Sequence, residues 1–272
     1  NSKLKNIQII NLLGSVNDND VIEANISCWK PHTIFHAAAY KHVSLVEQNV
    51  IEGIKNNVFG TINILKSSVS NNVSTFVLIS TDKAVKPTNI MGASKRLSEI
   101  YLQALNSSKN LNTKTNLTIV RFGNVLDSSG SVIPIFKKQI QYGGPITLSD
   151  PNVTRYFMTI PEASSLVIQA SAMSEKGEIF VLDMGKPIKI FDLAVKMISL
   201  SGLTVKDHNN SNGDIKIDIK GLYPGEKLHE DLLIGTNPIN TEHPKILKVK
   251  DSFVEFEELE IELKLLRTLI KE

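Results

Sequence analysis

Cysteine and long hydrophobic runs are both scarce in this sequence of 272 residues. The single cysteine, Cys28, excludes an internal disulfide, as is typical of proteins from a reducing compartment. A helix that crosses a bilayer needs about 20 consecutive apolar residues, and no run in this chain reaches that length. No signal peptide is visible, so we expect these residues to be cytoplasmic. Because the chain begins with Asn1, an upstream membrane anchor in a longer parent protein is compatible with it.

An excess of charge of either sign is also lacking, since 30 basic and 28 acidic residues leave a net charge of +2. Nucleic-acid binding requires a clustered basic face that neutralises phosphates. The lysines here are spread along the chain, so we expect no nucleic-acid partner, whereas an anionic small molecule needs only a few local cations. His36 and His42 have no third ligand in register, and the sequence therefore predicts no metal site.

The first half of the chain alternates short apolar runs with helical stretches. Strands are predicted at residues 7–13, 32–38, 75–80 and 117–122, and helices at residues 50–71 and 91–105. The predicted strands are rich in β-branched and aliphatic residues without strict alternation, as expected for strands that helices cover on both faces. The strand–helix–strand repetition predicts a doubly wound parallel α/β sheet of the Rossmann-like type.

The second half of the chain is broken into shorter pieces by glycine and proline. Helices are predicted at residues 161–173, 190–200 and 253–270, a strand at residues 178–183 and a loop at residues 201–213. We therefore expect a Rossmann-like domain at residues 1–127 and a smaller α+β lobe at residues 128–272. The strand and helix predicted within residues 178–200 are compatible with a return of the chain to the sheet of the first domain.

No glycine-rich turn of the G-x-G-x-x-G type occurs in residues 1–60. Dinucleotide-binding sheets normally open with such a turn, because its backbone N–H groups approach the pyrophosphate. Either the chain lacks the first βαβ unit of a longer protein or it binds no dinucleotide, and the start at Asn1 favours the first interpretation. On that interpretation we expect the chain alone to be inactive or poorly folded, with a sheet edge exposed near residues 7–13.

A cluster of polar residues, Ser80 to Lys83, lies at the end of the strand predicted at residues 75–80. The carboxyl ends of parallel strands border the ligand crevice of such a sheet. Met91 and Lys95 lie one turn apart in the next predicted helix, so we expect both side chains to point at that crevice. The alternative is that Asp82 caps a turn while Lys83 and Lys95 are solvated.

Six ordered sequence blocks resemble a known family. The blocks are FHAAAYKHVSLVEQN, NNVFGTINIL, LISTDKAVKPTNIMGASKR, RFGNVLDSSGSVIPIFKKQI, GPITLSDPNVTRYFMTIPEA and YPGEKLHEDLL. Together they resemble the nucleotide-sugar 4,6-dehydratases of the extended short-chain dehydrogenase/reductase superfamily. The resemblance is in particular to the CapD-like UDP-N-acetylglucosamine 4,6-dehydratase branch of polysaccharide biosynthesis.

The resemblance implies NAD as cofactor and a UDP-N-acetylhexosamine as substrate. In these enzymes NAD takes a hydride from C4 of the sugar, water leaves across C5 and C6, and the hydride returns to C6. The product is a 4-keto-6-deoxy sugar nucleotide. The resemblance also implies a homo-oligomer and a C-terminal lobe that binds the substrate.

The catalytic roles implied by the resemblance fall on residues 81–95. Asp82 and Lys83 look like the acid and base of the elimination, and Thr81 looks like the hydroxyl beside C4. Lys95 resembles the lysine that contacts the nicotinamide ribose. Met91 stands where most of the superfamily has a tyrosine that accepts a proton, and a thioether exchanges no proton. The membrane-anchored branch of these dehydratases is similar in having methionine there, which would leave the proton transfers to residues 81–83.

The binding roles implied by the resemblance are spread more widely along the chain. The implied cofactor residues are Ser15, Val16, Ala37, Ala38, Ala39, Asn57 and Lys95, and the implied substrate residues are Tyr40, Lys41, His42, Asn124, Arg155 and Glu226. Ser15 stands where the family has an aspartate that contacts adenine. Tyr223 stands where the family usually has an arginine at the diphosphate.

Two other functions remain open. A nucleotide-sugar 4- or 5-epimerase shares the hydride transfer but needs no acid for the 6-hydroxyl, so the adjacent Asp82 and Lys83 favour dehydration. A non-catalytic protein that binds a nucleotide sugar or a dinucleotide is motivated by Met91 and by the missing glycine-rich turn.

Overall fold

The computed structural model describes residues 7–108, 113–175, 177–233 and 238–270. The strands within these residues are β1 Thr33–His36, β2 Thr75–Thr81, β3 Asn116–Phe122, β4 Asn124–Val125, β5 Ile146–Leu148, β6 Thr154–Arg155, β7 Phe157–Met158, β8 Ile179–Leu182, β9 Ile188–Lys189, β10 Val205–Lys206, β11 Ile215–Ile219, β12 Ile239–Asn240 and β13 Ile246–Val249. The α-helices are α1 Asn19–Trp29, α2 Val43–Gln48, α3 Val50–Ile54, α4 Gly60–Ser70, α5 Ile90–Ser107, α6 Val132–Gln141, α7 Ile160–Met173, α8 Ile190–Leu200 and α9 Phe256–Leu269. A π-helical turn at Lys55–Phe59 joins α3 to α4, and a 3₁₀ turn at Asp82–Ala84 follows β2.

The main sheet has the strand order β1-β2-β3-β8-β13-β12. The first four strands are parallel, whereas β13 and β12 are antiparallel to their neighbours. Successive side chains of a strand point to opposite faces, and in β2 both faces are buried. Phe76 and Leu78 pack in a core with α4, α5 and α9, while Val77 packs on the other side with α7. Helices on both faces of a largely parallel sheet confirm the predicted doubly wound α/β fold.

A second, smaller core lies after β4. Side chains of α6 and α8 pack there with a three-stranded parallel sheet ordered β10-β11-β5. The strand predicted at residues 178–183 is β8, which pairs in parallel with β3 of the main sheet. The antiparallel strand β13 beside it was not predicted. The chain therefore returns to the first sheet twice after residue 127, and the division into two domains at that residue stays a prediction.

The strand predicted at residues 7–13 is wrong. These residues form no regular structure, and most of their apolar side chains are exposed, including Ile7, Ile9 and Leu13. A strand is stabilised by hydrogen bonds to a neighbouring strand, and none of the described strands lies alongside this segment. Regular structure begins with α1, which was not predicted and whose N-terminus is capped by the side chain of Asp18.

The remaining predicted helices are confirmed within one to three residues at their ends, although residues 50–71 are divided by the π-helical turn. The helix predicted at residues 253–270 is α9, which packs against α5; the hydroxyl of Tyr101 donates to Glu260 at 2.9 Å. In the described residues no helix combines the length and the apolar character needed to cross a membrane.

Candidate active site

The end of β2 holds a buried carboxylate behind two polar side chains. Thr81 is the last residue of the strand, and its hydroxyl accepts a hydrogen bond from the backbone N–H of Lys83. The same hydroxyl donates to Oδ1 of Asp82 at 2.8 Å, and Nζ of Lys83 donates to that oxygen at 3.0 Å. Asp82 is fully buried, and within the described residues its Oδ2 has no hydrogen-bond partner. The carboxylate of Asp82 is thus connected to the surface of the site through the side chains of Thr81 and Lys83.

Lys83 is surrounded by oxygen atoms from distant parts of the chain. Its ammonium donates to Oδ1 of Asn124 at 3.2 Å and lies 3.5 Å from Oε1 of Glu230. Burial acts to lower the pKa of Lys83, but the charges of Asp82 and Glu230 outweigh it, so the pKa lies above its ordinary value. The ammonium is therefore held in its charged form, and it is not solvated as the alternative interpretation of the sequence required.

Met91 and Lys95 lie in the first turns of α5, as the spacing predicts. Asn89 caps this helix by accepting a hydrogen bond from the N–H of Gly92 at 2.7 Å. Both side chains are buried and line the same cavity. Burial lowers the pKa of Lys95 to about 8, although the charge of Glu99 partly opposes this shift. Lys95 thus loses its proton far more readily than an ordinary lysine.

Gly92 fixes the distance between α5 and the 3₁₀ turn. A Cβ atom at this position would lie 2.2 Å from the backbone carbonyl oxygen of Lys83. Because that contact is with backbone, neither side could move without displacing the turn that carries Asp82 and Lys83. The lack of a side chain at Gly92 therefore allows α5, which carries Lys95, to pack directly against the turn that carries Lys83.

Asn57 connects the loop after β1 to α5. Its side-chain oxygen accepts from the N–H of Tyr40 at 2.7 Å, and its side-chain nitrogen donates to the carbonyl of Tyr40 and to Ser94, both at 3.0 Å. The π-helical turn places this fully buried side chain between the two elements. Asn57 does not line the cavity; it holds the backbone of a lining residue.

His36 is buried at the end of β1. Its Nε2 lies 2.8 Å from the hydroxyl of Thr61. Burial, together with the positive charge of Lys95, lowers its pKa to about 3. His36 is therefore neutral at physiological pH and acts as a packing and hydrogen-bonding residue.

The side chains at the ends of β1, β2 and β3 surround a cavity of about 340 Å³. Ten of the predicted site residues line it: Ala37, Ala39, Tyr40, Lys41, His42, Thr81, Lys83, Met91, Lys95 and Asn124. Ala38, Asp82 and Asn57 are not among the lining residues. Ser15 and Val16 are not brought to this cavity either, because the side chain of Val16 packs against α4 at Gly60.

A second cavity of about 300 Å³ shares Asn124 with the first and is lined by Arg155, Tyr223 and Glu226. The predicted substrate residues Arg155 and Glu226 therefore lie together, but they bind each other. Arg155 Nη2 donates to Oε1 of Glu226 at 3.0 Å, and Nη1 donates to the backbone carbonyl of Thr154 at 2.8 Å. An anion at this arginine would compete with Glu226.

Sequence reasoning missed Glu230 and a buried ion-pair network behind the site. Glu230 lies in the block YPGEKLHEDLL, but nothing in the local pattern distinguishes it from a surface acid. In the network, Glu99 of α5 accepts from Arg121 of β3 at 2.6 and 2.8 Å and from Ser80 at 2.6 Å. Arg121 also pairs with Asp251 at 2.6 Å. Helical spacing places Glu99 one turn after Lys95 on the same helix, and this spacing was the sequence feature that could have identified Glu99 as part of the network.

The first cavity offers a ligand small wall residues and a buried lysine. Ala37 and Ala39 leave space at its wall. Lys95 faces the cavity, and in the part of the chain that the structure describes no side chain or carbonyl accepts a hydrogen bond from its ammonium. A ligand hydroxyl would supply that acceptor. No group of three side chains suited to a metal ion occurs among the described residues.

The chain is an α/β protein of the Rossmann type, with polar groups at the carboxyl ends of parallel strands and a buried lysine on the following helix. The chain belongs to the family described as "Polysaccharide biosynthesis protein", whose model matches residues 1–251. This confirms the resemblance carried by the six sequence blocks.

Two curated relatives show how much of longer proteins the chain represents. It is 52% identical over 227 residues to capsular polysaccharide biosynthesis protein CapD of Staphylococcus aureus, which covers 84% of this chain and 36% of CapD. It is 36% identical over 200 residues to UDP-glucose 4-epimerase of Rickettsia rickettsii (strain Sheila Smith), which covers 74% of this chain and 55% of that protein. The chain thus spans little more than a third of CapD.

Two solved structures share the fold. The X-ray structure of Pen from Bacillus thuringiensis is 32% identical and matches with a TM-score of 0.78 over 96% of this chain and 84% of Pen. DesIV, a dTDP-glucose 4,6-dehydratase from Streptomyces venezuelae whose structure contains NAD and TYD, is 20% identical. It matches with a TM-score of 0.70 over 80% of this chain and 69% of DesIV. The predicted Rossmann-like fold is confirmed.

Proposed function

We propose that the protein containing this chain is an NAD-dependent nucleotide-sugar-modifying enzyme of polysaccharide biosynthesis, and specifically a UDP-N-acetylhexosamine 4,6-dehydratase. The observation that carries this proposal is the carboxylate of Asp82, which is buried behind the Thr81 hydroxyl and the Lys83 ammonium at the cavity wall. Elimination of water needs both an acid and a base, and this cluster provides groups for both. The family relation to CapD supports the same conclusion.

When bound, NAD supplies the hydride acceptor and donor of the reaction. Lys95 would hold the nicotinamide ribose, because its ammonium donates to no acceptor among the described residues and is free to donate to a ribose hydroxyl. Thr81 binds the hydroxyl at the oxidised carbon and passes its proton to Asp82, to which it already donates. Lys83, charged and directed at the cavity, protonates the departing 6-hydroxyl, and the neutral amine that results takes the proton released at C5. That proton returns to C5 when the hydride reaches C6, and the 4-hydroxyl proton held by Asp82 then recharges Lys83, to which Asp82 is hydrogen-bonded. Met91 is an apolar wall beside these groups and excludes water from them.

The second cavity is proposed to bind the UDP moiety. Asn124 lines both cavities, so a ligand that fills them passes this residue. Arg155 would bind a phosphate oxygen in place of Glu226, because a diphosphate offers the guanidinium a stronger charge than one carboxylate. Tyr40, Lys41 and His42 are proposed to contact the sugar from the opposite wall of the first cavity.

The test is to incubate the complete protein with UDP-N-acetylglucosamine and to follow the product by mass spectrometry. We expect a product lighter by one water. Asp82→Asn and Lys83→Met should each lower kcat by about 100-fold or more, the usual contribution of a general acid or base. Lys137→Met, which removes a lysine from an exposed ion pair, is the matched control and should retain full activity.

Other outcomes identify the alternatives. A product of unchanged mass with inverted configuration would indicate an epimerase, as the similarity to the Rickettsia enzyme allows. Tight binding of the nucleotide sugar without turnover would indicate a non-catalytic protein. Full activity of both site variants would refute the roles proposed for Asp82 and Lys83.

A further inference from the structure

We propose that Glu230 is a positioning residue that holds the Lys83 ammonium against Asp82 and links it to Arg155 in the second cavity. This inference rests on the proposed function for its kinetic consequence, but its charge interaction can be tested without any activity. Glu230 belongs to neither the strand end nor α5, and it reaches the site from a segment after Lys227.

The geometry places one carboxylate between two cations. Oε1 of Glu230 lies 3.5 Å from Nζ of Lys83 and 3.9 Å from Nε of Arg155. The Glu230 side chain is only 4% exposed. Its second oxygen, Oε2, is buried and has no hydrogen-bond partner within the described residues. A carboxylate removed from water in this way is stabilised by the cations beside it.

Charges of alternating sign run from the first cavity to the second. Asp82, Lys83, Glu230, Arg155 and Glu226 form this series, and each neighbouring pair is within 3.9 Å. Three acids and two bases leave the series with an excess of one negative charge. The excess favours the charged form of the lysine, which is the form required of a proton donor.

The charge on Lys83 depends on the groups that face it. Burial lowers its pKa, Asp82 and Glu230 raise it, and Arg155 lowers it. Replacing Glu230 by glutamine removes one of the two carboxylates while burial and Arg155 remain. The pKa of Lys83 must then fall, and the ammonium keeps only its hydrogen bonds to Asp82 and Asn124.

Glu230 also competes with the substrate. Lys83 and Arg155 share the Glu230 carboxylate, so an anion that binds Arg155 competes with Glu230 for the guanidinium. When a diphosphate binds Arg155, Glu230 interacts with Lys83 and no longer with Arg155. Binding in the second cavity therefore strengthens the Glu230–Lys83 ion pair beside the first cavity. Loss of the Glu230 charge should therefore lower kcat without raising KM.

The first experiment measures the charge of Lys83 directly. Competitive acetylation of the complete protein across a pH series, read by peptide mass spectrometry, reports the neutral fraction of each lysine. In Glu230→Gln we expect the Lys83 titration to shift to lower pH than in the wild type. Glu230→Asp, which keeps the charge at a greater distance, should shift it less. A Lys83 titration that coincides in wild type and Glu230→Gln would overturn the proposal.

The second experiment measures the pH profile of water release from UDP-N-acetylglucosamine. In Glu230→Gln we expect kcat to fall by roughly 10- to 100-fold, KM to stay equal or decrease, and the alkaline limb of the profile to move to lower pH. An unshifted profile, or a rise in KM alone, would contradict a positioning role. If the wild type releases no water, the proposed function fails, and the acetylation result still decides the role of Glu230.

Glu178→Gln is the matched control. Glu178 is another buried glutamate, paired with Lys248 at 2.8 Å outside both cavities. Its replacement also removes a buried carboxylate from an ion pair, so it controls for loss of stability. We expect its Lys83 titration and its pH profile to match those of the wild type, and a shift equal to that of Glu230→Gln would overturn the proposal. Should Glu230→Gln fold poorly, Glu230→Asp supplies the same comparison.

Discussion

Replacing Glu99 by glutamine tests the ion-pair network behind the candidate site. Glu99 accepts hydrogen bonds from Arg121, Ser80 and Arg96, and Arg121 is fully buried. Glutamine has nearly the same shape but no charge, so the change leaves Arg121 and Arg96 to share Asp251. The variant therefore isolates the charge of one buried carboxylate.

The expected loss is large because the remaining guanidinium cannot be rehydrated. Removing one partner of a buried ion pair lowers the free energy of unfolding by about 3–5 kcal/mol. Because Asp251 still pairs with Arg121, we expect a loss of about 3 kcal/mol, the lower end of that range. For a protein of this size, each kcal/mol lowers Tm by roughly 2–4 °C. The melting temperature should thus fall by roughly 6–12 °C.

The pH dependence has a defined sign. Burial acts to raise the pKa of Glu99, but Arg121, Ser80 and Arg96 outweigh it and hold the pKa below its ordinary value of 4.5. A carboxyl with a lowered pKa in the folded state contributes stability that is fully present above pH 4.5 and is lost in more acidic solution. The difference between wild type and Glu99→Gln should accordingly shrink below that pH.

Urea unfolding, followed by circular dichroism at neutral and acidic pH, measures both quantities. Glu162→Gln, which removes a carboxylate from the surface ion pair with Lys245, is the control and should barely change the unfolding free energy. The reasoning is refuted if Glu99→Gln lies within about 0.5 kcal/mol of wild type at neutral pH, the range of ordinary surface changes.

Two further predictions concern the site itself. If the proposed roles of Asp82 and Lys83 hold, Gly92→Ala should lower kcat by about 100-fold, because a Cβ 2.2 Å from the Lys83 carbonyl oxygen must displace the turn that carries both residues. An unchanged kcat would contradict this expectation. Competitive acetylation of the ligand-free protein should place the Lys95 titration near pH 8, and Glu99→Gln should move it lower still, since Glu99 opposes the effect of burial. A Lys95 titration at the ordinary lysine value would contradict the burial argument.

Local sequence pattern determined most of the first sheet. The apolar runs of β2 and β3 and the periodicity of α5 and α9 encode secondary structure through neighbouring residues, and the structure confirms them. The same is true of the polar residues at the end of β2, because the carboxyl ends of parallel strands border the crevice. The spacing of Met91 and Lys95 needed only the helical repeat.

Tertiary structure alone decided which distant groups complete the site. Residues 7–13 have the composition of a strand, but a strand exists only where a neighbour accepts its hydrogen bonds, and none of the described strands does so. Nothing local distinguishes Glu230 or Asp251 from surface acids; burial beside Lys83 and Arg121 gives them their importance. Short-range pattern specifies secondary structure, whereas charge–charge distances between remote segments depend on how the whole chain packs.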